Sequence, residues 1–116
     1  MRKFKSNVVN VTIEQSQPSG SQTLKIDSGI VTKCVLLTND VPAEFINVKI
    51  EDVHGDELHP SVSYKEYQPT NGNHFESRKD IYFEGNRDIK VTAYADGAVS
   101  KAFKFQMLFY VEPLQD

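Results

Sequence analysis

The sequence predicts an all-β protein, an antiparallel β-sandwich of about eight strands with a jelly-roll-like arrangement. Apolar and polar residues alternate along most of the 116-residue chain, and this period of two is that of strands with one buried face. Apolar residues nowhere recur at the spacing of an amphipathic helix. A chain of this length forms one domain with its own core. An immunoglobulin-like sandwich is the nearest alternative, but the chain lacks the tryptophan of that fold.

Four strands are predicted in the first half of the chain, each a run of alternating or β-branched apolar residues: residues 9–13, 24–26, 30–38 and 46–51. Turn-forming residues separate them. A loop containing Ser and Gly spans residues 17–21, and Gly29 provides the positive φ of a tight turn after the second strand. Pro42 follows the third strand, because proline cannot continue a β-ladder.

Four further strands are predicted around residues 62–64, 81–83, 89–95 and 103–111. Asp96 and Gly97 separate the last two, and this dipeptide between alternating runs indicates a β-hairpin. The final strand is the most apolar, and its large side chains share one face: Phe103, Phe105, Met107, Phe109 and Val111. Leu108 and Tyr110 lie on its other face, so we expect both faces to be covered near the end of the strand.

The longest irregular stretch, residues 68–80, is long enough to predict contact with a partner. It carries His74 and Glu76, a pair that could act as a general base, but no recognisable nucleophile accompanies them. Cys34 lies within the third strand on the side of Ile30 and Leu36, which predicts a buried and unreactive thiol. We therefore predict no catalytic residue and a protein that is not an enzyme.

The densest group of potential metal ligands contains His54, Asp56 and His59. In a strand, His54 and His59 would point to opposite faces, so only a loop could bring them together. Cupins are jelly rolls that bind metal through a His-x-His pair and a carboxylate, and no two histidines of this chain are spaced in that way. The three residues are weak candidates, and we predict no metal and no cofactor.

Charge is divided unevenly between the N-terminus and the rest of the chain. Arg2, Lys3 and Lys5 come before the first acidic residue, and the remainder has ten basic against sixteen acidic side chains, a net charge of −6. We predict a basic N-terminal arm at residues 1–6 and a single β-sandwich domain at residues 7–116. Because affinity for phosphate comes from clustered Lys and Arg, nucleic acid is not an expected partner except through the arm.

No segment approaches the ~20 apolar residues of a membrane-spanning helix. The N-terminal region alternates polar and apolar residues and lacks the ~7–15 consecutive apolar residues of a secretory signal. We expect a chain without a signal peptide that stays in the cytoplasm where it is made, unless a leader has been removed. The single cysteine excludes a disulfide framework and zinc sites built from several cysteines.

The sequence resembles the single jelly-roll vertex proteins, or penton bases, of tailless phages whose major capsid protein is a double jelly roll. The resemblance rests on the basic start Met1-Arg2-Lys3-Phe4-Lys5, on residues 24–39 (LKIDSGIVTKCVLLTN) and on about eight strands over the whole chain. It implies a viral structural protein of the virion, made in the host cytoplasm. It also implies a homopentamer at the five-fold corner that contacts the major capsid protein and in some cases a spike protein.

Five residues are the expected contacts of such an assembly: Arg2, Lys3 and Lys5 in the arm, and Leu108 and Tyr110 on the outer face of the last strand. Two alternatives remain open at this point. One is a sugar- or surface-binding β-sandwich module without catalysis, whose leader has been trimmed. The other is a cupin-like metalloprotein centred on His54, His59 and His74.

Overall fold

The computed structural model describes residues 5–68 and 79–113. These residues form eight strands and a short 3₁₀ helix: β1 (Lys5–Ile13), β2 (Ser19–Ile26), β3 (Ile30–Leu37), β4 (Ile46–Asp52), β5 (Glu57–Ser63), the helix (Tyr64–Tyr67), β6 (Lys79–Glu84), β7 (Arg87–Ala95) and β8 (Phe103–Glu112). The strands form two four-stranded sheets, sheet A in the order β1-β8-β3-β6 and sheet B in the order β2-β7-β4-β5. The all-β sandwich predicted from the alternation is confirmed.

The strand pairs follow the jelly-roll pattern. β1 pairs with β8, β2 with β7, β3 with β6 and β4 with β5, and every pair is antiparallel. Nested pairs of this kind arise when one long hairpin is rolled up into two facing sheets, which is the architecture of a jelly roll. The jelly-roll arrangement expected from the number of strands is therefore confirmed as well.

Alternate side chains of the central strands fill the space between the sheets. The five large residues predicted on one face of β8 are all buried, and they share one core with inward residues of β4 and β7: Ile46, Val48, Ile50, Ile89, Val91 and Ala93. Aromatic rings meet edge to face within this core. The Phe83 and Phe109 centroids lie 6.1 Å apart, a geometry that contributes roughly 1 kcal/mol for the pair beyond the burial of its rings.

The two long sides of the sandwich are closed in different ways. On one side β1 and β2 come together, and a Cβ at Gly20 would lie only 2.1 Å from the carbonyl oxygen of Thr12. On the other side, between β5 and β6, the 3₁₀ helix fills the gap with two buried tyrosines, Tyr64 and Tyr67. The Tyr64 ring meets Phe103 edge to face, with the centroids 5.2 Å apart.

A β-bulge in β3 exchanges the two faces of the strand. The register against β8 shifts between Val31 and Lys33, so Thr32 is an extra residue. Val31 and Cys34 both face the core, whereas Ile30 lies opposite Glu112 on the outer side. The prediction that Ile30 shares a face with Cys34 is therefore wrong, because the extra residue at the bulge shifts the alternation.

Several local predictions were wrong. The Asp96-Gly97 hairpin does not exist, because β7 and β8 lie in different sheets. The chain after β7 crosses between the sheets, and Val99 is buried there and hydrogen-bonded to the connection between β1 and β2. β2 begins at Ser19 inside the predicted loop, and the strand predicted at residues 62–64 ends at Ser63, where the helix follows. In the described part of the chain, no helix is long and apolar enough to cross a membrane.

Candidate interaction surface

The outer face of sheet A carries apolar side chains on three neighbouring strands. Val8 of β1 lies opposite Leu108 of β8, and Leu108 lies opposite Val35 of β3. Val8 is 46% exposed and Leu108 is half-buried, whereas Val35 is fully buried although it does not belong to the core between the sheets. Leu37 follows on the same face of β3 and is exposed. We call these four residues the apolar row.

The interface residues predicted from the sequence lie partly on this face. Leu108 belongs to the apolar row, and Tyr110 is its half-buried neighbour on the same face of β8. Lys5 is exposed at the start of β1 and pairs with the end of β8, so the strand begins within the segment predicted as the arm. Arg2 and Lys3 lie outside the described residues.

An ion pair joins β3 to the edge strand β6 on the same face. Nζ of Lys33 donates to Oδ1 of Asp80 over 2.6 Å. This hydrogen bond, together with the positive charge of Lys33, holds the pKa of the Asp80 carboxyl below its usual value. The Asp80 side chain is largely exposed, so water screens the pair and its contribution to stability is small.

A shallow hollow with polar walls lies where β3 ends and β8 continues. The Thr38 hydroxyl donates to the carbonyl oxygen of Lys104 over 2.7 Å, and Oδ2 of Asp40 accepts from the Lys104 N–H over 2.9 Å. Two side chains thus satisfy the backbone groups of β8 that β3 no longer reaches. Nε2 of Gln106 donates to Oδ1 of Asn10 over 3.1 Å beside them. The face combines an apolar centre with a polar margin, which is the arrangement of protein interfaces.

The outer face of sheet B has a different character. Its outward positions are mostly polar or charged: Ser21, Thr23, Lys25, Lys49, Glu51, Asp88 and Lys90. Nζ of Lys49 lies 3.6 Å from a carboxylate oxygen of Glu51 and 4.0 Å from one of Glu57. Such a face is suited to water over most of its length. Two aromatic residues, Phe45 and Tyr94, are exposed at one end.

The three candidate metal ligands belong to different local arrangements. Oδ1 of Asp52 accepts from the backbone N–H groups of His54 and Asp56, over 2.9 and 3.1 Å, and so closes the turn between β4 and β5. His59 lies within β5 opposite Ile50, and its ring contacts the buried Tyr67. Within residues 5–68 and 79–113, no three His, Cys, Asp or Glu side chains are grouped so that they could hold a metal ion.

His59 and Tyr67 form a hydrogen-bonded link between β5 and the helix. Nδ1 of His59 lies 2.7 Å from the Tyr67 hydroxyl oxygen and 2.9 Å from the Pro60 carbonyl oxygen. The Tyr67 hydroxyl donates its own proton to the Val48 carbonyl oxygen over 3.3 Å. The tautomer compatible with these contacts carries a proton on Nδ1, which the Tyr67 hydroxyl oxygen and the Pro60 carbonyl oxygen then share as acceptors. Burial raises the pKa of the Tyr67 hydroxyl, and nearby Cys34 raises it further.

Cys34 is free and buried, as predicted. Burial raises the pKa of its thiol to about 12, against a smaller opposing effect of the Lys79 charge. Because only the thiolate is nucleophilic, the buried thiol is inert at neutral pH. The stretch predicted to contact a partner, residues 68–80, lies largely outside the described residues, including His74 and Glu76.

Three residues of the apolar row were not among the predicted contacts: Val8, Val35 and Leu37. Their signal in the sequence is the occurrence of large apolar residues at consecutive positions, Val8 with Val9 and Val35 with Leu36. In a strand, consecutive apolar side chains point to opposite faces, so each such pair places one of them outside the sandwich.

No family model matches the chain, and no curated protein matches it. Among solved structures it is similar to a chain of the acid-stable capsid of Helicobacter pylori bacteriophage KHP30, with 12% identity, coverage of 98% of this chain and 95% of that one, and a TM-score of 0.48. A chain of the cyanophage Pam1 capsid has 13% identity, 97% and 89% coverage, and a TM-score of 0.41. The carbohydrate-binding module TmCBM61, solved with β-1,4-galactotriose, has 14% identity, 97% and 87% coverage, and a TM-score of 0.39.

Chains of phage capsids are thus among the solved structures to which this chain is similar. Carbohydrate-binding modules are among them too. Similarities of this size identify neither a family nor a function.

Proposed function

We propose that this chain is a viral structural protein, a small jelly-roll capsid component that assembles with copies of itself and with a major capsid protein. The observation that carries the proposal is the difference between the two outer faces. The apolar row lies on sheet A, whereas the outer face of sheet B is mostly polar and charged. Exposure of Val8 and Leu37 to water does not stabilise the isolated chain, whereas their burial against a partner would be favourable. Apolar patches with polar margins are typical of surfaces that bind a partner.

The size of the face is consistent with a role as the centre of a larger contact. Four strands ~4.8 Å apart and about eight residues long cover roughly 500 Å². A standard protein interface buries ~800 Å² on each partner. The polar hollow around Asp40 and Lys104 lies next to the apolar row and supplies hydrogen-bonding groups for the rest of such a contact.

Within the particle we assign the protein to the five-fold vertex, as a homopentamer that contacts the major capsid protein and can seat a spike. The resemblance in sequence to vertex proteins and the jelly-roll topology support this assignment. A closed ring requires two different surfaces on every copy. The apolar row is one candidate, and the basic arm with Arg2 and Lys3 is the other, since the remainder of the chain is acidic. The protein would then be made in the host cytoplasm and reside in the virion.

Sedimentation velocity over a range of concentrations tests the proposal. We expect the wild-type chain to form a closed oligomer, a pentamer if it occupies the vertex. The double variant Val8→Lys with Leu37→Glu places charge on the apolar row at positions that are already exposed, so the fold should persist and the chain should be monomeric. The matched control is Ser21→Lys with Thr23→Glu on the outer face of sheet B, which should assemble like the wild type.

Circular dichroism of both variants distinguishes lost assembly from lost folding. Co-expression with the major capsid protein extends the test, because the apolar-row variant should be missing from particles that retain the control. A wild-type chain that stays monomeric at high concentration and low salt and does not enter particles contradicts the proposal. An apolar-row variant that assembles as well as the control contradicts the part assigned to sheet A.

A further inference from the structure

Two exposed aromatic residues lie at one end of the outer face of sheet B. Tyr94 is on β7 opposite Asn47 of β4, and it is 44% exposed. Phe45 precedes the buried Ile46, so it points outward by alternation, and it is 61% exposed. The Asp96 N–H donates to the Phe45 carbonyl oxygen over 3.1 Å, which extends the pairing of β4 with β7 to this position. Phe45, one residue before β4, and Tyr94 on β7 therefore occupy diagonal positions across this extended pairing.

Hydrogen-bonding side chains surround the two rings on the same face. Tyr94 lies between Ser19 of β2 and Asn47 of β4 in one cross-strand row. Thr92 comes two positions before Tyr94 in β7 and lies between Ser21 and Lys49 in the next outward row. The surface thus alternates ring faces with hydroxyl and amide groups.

Thr92 has a property that separates this end of the face from an ordinary polar surface. Its residue is 6% exposed, it does not belong to the core, and its hydroxyl has no hydrogen-bond partner within the described part of the chain. A buried hydroxyl without a partner costs roughly 1–3 kcal/mol. Lys49 lies directly opposite, and its Nζ is held only by long ion pairs, 3.6 Å to Glu51 and 4.0 Å to Glu57, which a ligand can break at little cost when it displaces this side chain from the hydroxyl.

We propose that Phe45, Tyr94, Thr92 and Asn47 form a binding site for a neutral saccharide. A pyranose ring has a face of C–H groups that packs on an aromatic ring and a rim of hydroxyl groups that both donate and accept. The two exposed rings match the first, and the Asn47 amide and the unpartnered Thr92 hydroxyl match the second. Few, well-placed polar groups around apolar surfaces are the usual make-up of a small-ligand site.

The charges nearby disfavour other ligands that stack on aromatic rings. A single-stranded nucleic acid needs clustered cations for its phosphates, and on this face Lys25 lies opposite Asp88 and Lys90 lies opposite Glu51, so their charges are balanced. The ammonium group of Lys49 is already paired with Glu51 and Glu57. The site is independent of the proposed assembly, because it lies on sheet B and the apolar row lies on sheet A.

A glycan array followed by titration tests the site. The full chain is first applied to the array. The sugars that it retains are then titrated into the protein, together with the probes cellotriose, maltotriose and β-1,4-galactotriose. NMR follows the backbone amides during each titration. We expect shifts confined to β4, β7 and β2, and binding weakened at least about tenfold by Tyr94→Ala and by Phe45→Ala. Thr92→Val, which keeps the shape and removes the hydroxyl, should weaken binding several-fold.

Tyr82→Ala is the matched control, because Tyr82 is 70% exposed on β6 of the other sheet and should leave binding unchanged. Phe45 lies outside the strands, so its variant keeps the test valid if Tyr94→Ala does not fold.

A wild-type chain that retains no glycan and binds none of the three probes overturns the site, and so does binding that survives both aromatic variants. If the chain binds a single-stranded oligonucleotide and Tyr94→Ala abolishes this binding, the saccharide assignment is overturned in favour of a nucleobase. None of these results alters the sedimentation of the wild type, so the assembly proposal is tested separately.

Discussion

Single residues in the core show how burial controls acid–base chemistry in this protein. Cys34 and Tyr67 both keep their protons far above neutral pH, because the core gives their charged forms no water. His59, on the edge strand β5, forms a hydrogen bond with the hydroxyl of buried Tyr67, and this contact gives the histidine a structural role. The sequence predicted the inert thiol from its position in an apolar strand. It could not predict the contact between His59 and Tyr67, because that contact depends on where the helix after β5 packs.

We expect Cys34 to resist thiol reagents in the native state. At pH 8 the thiol, whose pKa is raised to about 12, is almost entirely protonated and also inaccessible, so Ellman's reagent should not react until urea unfolds the chain. A variant with Cys34→Ala and Ser21→Cys provides the control, because its only thiol lies on an exposed position and should react at once. Rapid reaction of the native wild type would contradict the burial of Cys34.

The same raised pKa predicts a loss of stability in alkali. In the unfolded chain the thiol has its ordinary pKa of about 9.0, so above that pH the unfolded state releases a proton that the native state retains. The free energy of unfolding should therefore fall as the pH rises from about 9 towards 12. Urea denaturation at several pH values measures the slope, and Cys34→Ala should make it shallower. An equal slope in both proteins would show that other groups cause the loss.

At the level of elements, the sequence predicted best those strands whose alternation is decided by the core. β4, β7 and β8 are central strands with one strongly apolar face, and the prediction placed all three near their observed bounds. β2 and β5 are edge strands of sheet B, and their pairing depends on the neighbouring strand rather than on their own apolar residues. β2 was therefore predicted too short. The 3₁₀ helix was not predicted, because a helix of one turn is too short to leave a helical period in the sequence.

The close approach of β1 and β2 predicts a strong effect at Gly20. A Cβ there would lie 2.1 Å from the Thr12 carbonyl oxygen, so Gly20→Ala must push the two edge strands apart. We expect a loss of about 2–3 kcal/mol in the free energy of unfolding, measured by urea denaturation. Gly97→Ala is the matched control, since nothing lies within 4 Å of a Cβ there, and its effect should stay within about 0.5 kcal/mol. Equal effects at both positions would contradict the closure at β1 and β2.

The Tyr67 hydroxyl anchors the 3₁₀ helix that closes the sandwich between β5 and β6. Tyr67→Phe removes a hydroxyl that contacts both His59 and the Val48 carbonyl oxygen, so each loses one hydrogen bond, while His59 keeps its contact with the Pro60 carbonyl oxygen. We expect a loss of about 1–3 kcal/mol in the free energy of unfolding. Amide hydrogen exchange should show the loss of protection mainly in β5 and the helix. Tyr82→Phe, at an exposed position, serves as the control and should change neither quantity.

On the scale of the whole molecule, the jelly roll places the first strand, the last strand and the apolar row on the same sheet. β1 and β8 pair from Lys5 opposite Val111 to Ile13 opposite Phe103, so the start of β1 lies beside the end of β8. The sequence predicted two of the residues near the centre of this face, Leu108 and Tyr110, from the two-sided character of the last strand. It could not predict that Val8 and Val35 flank Leu108, because cross-strand neighbours follow from the topology, and strand order is not encoded in alternation alone.

The uneven charge of the chain leads to the last prediction, which concerns assembly and rests on the proposed function. If the basic arm of one copy contacts the acidic body of a neighbour, removing residues 1–4 should weaken association while leaving β1, which begins at Lys5, intact. We expect the association constant to fall about tenfold at ~0.05 M salt and to approach that of the wild type at ~1 M, where charges more than ~3 Å apart are screened. Sedimentation at both salt concentrations measures this change in the association constant.

Charge reversal in the arm, Arg2→Glu with Lys3→Glu, should weaken association in the same direction and more strongly. Lys25→Glu with Lys90→Glu makes the same change in net charge on sheet B, so an equal loss in that control would assign the effect to overall charge and contradict a specific contact of the arm.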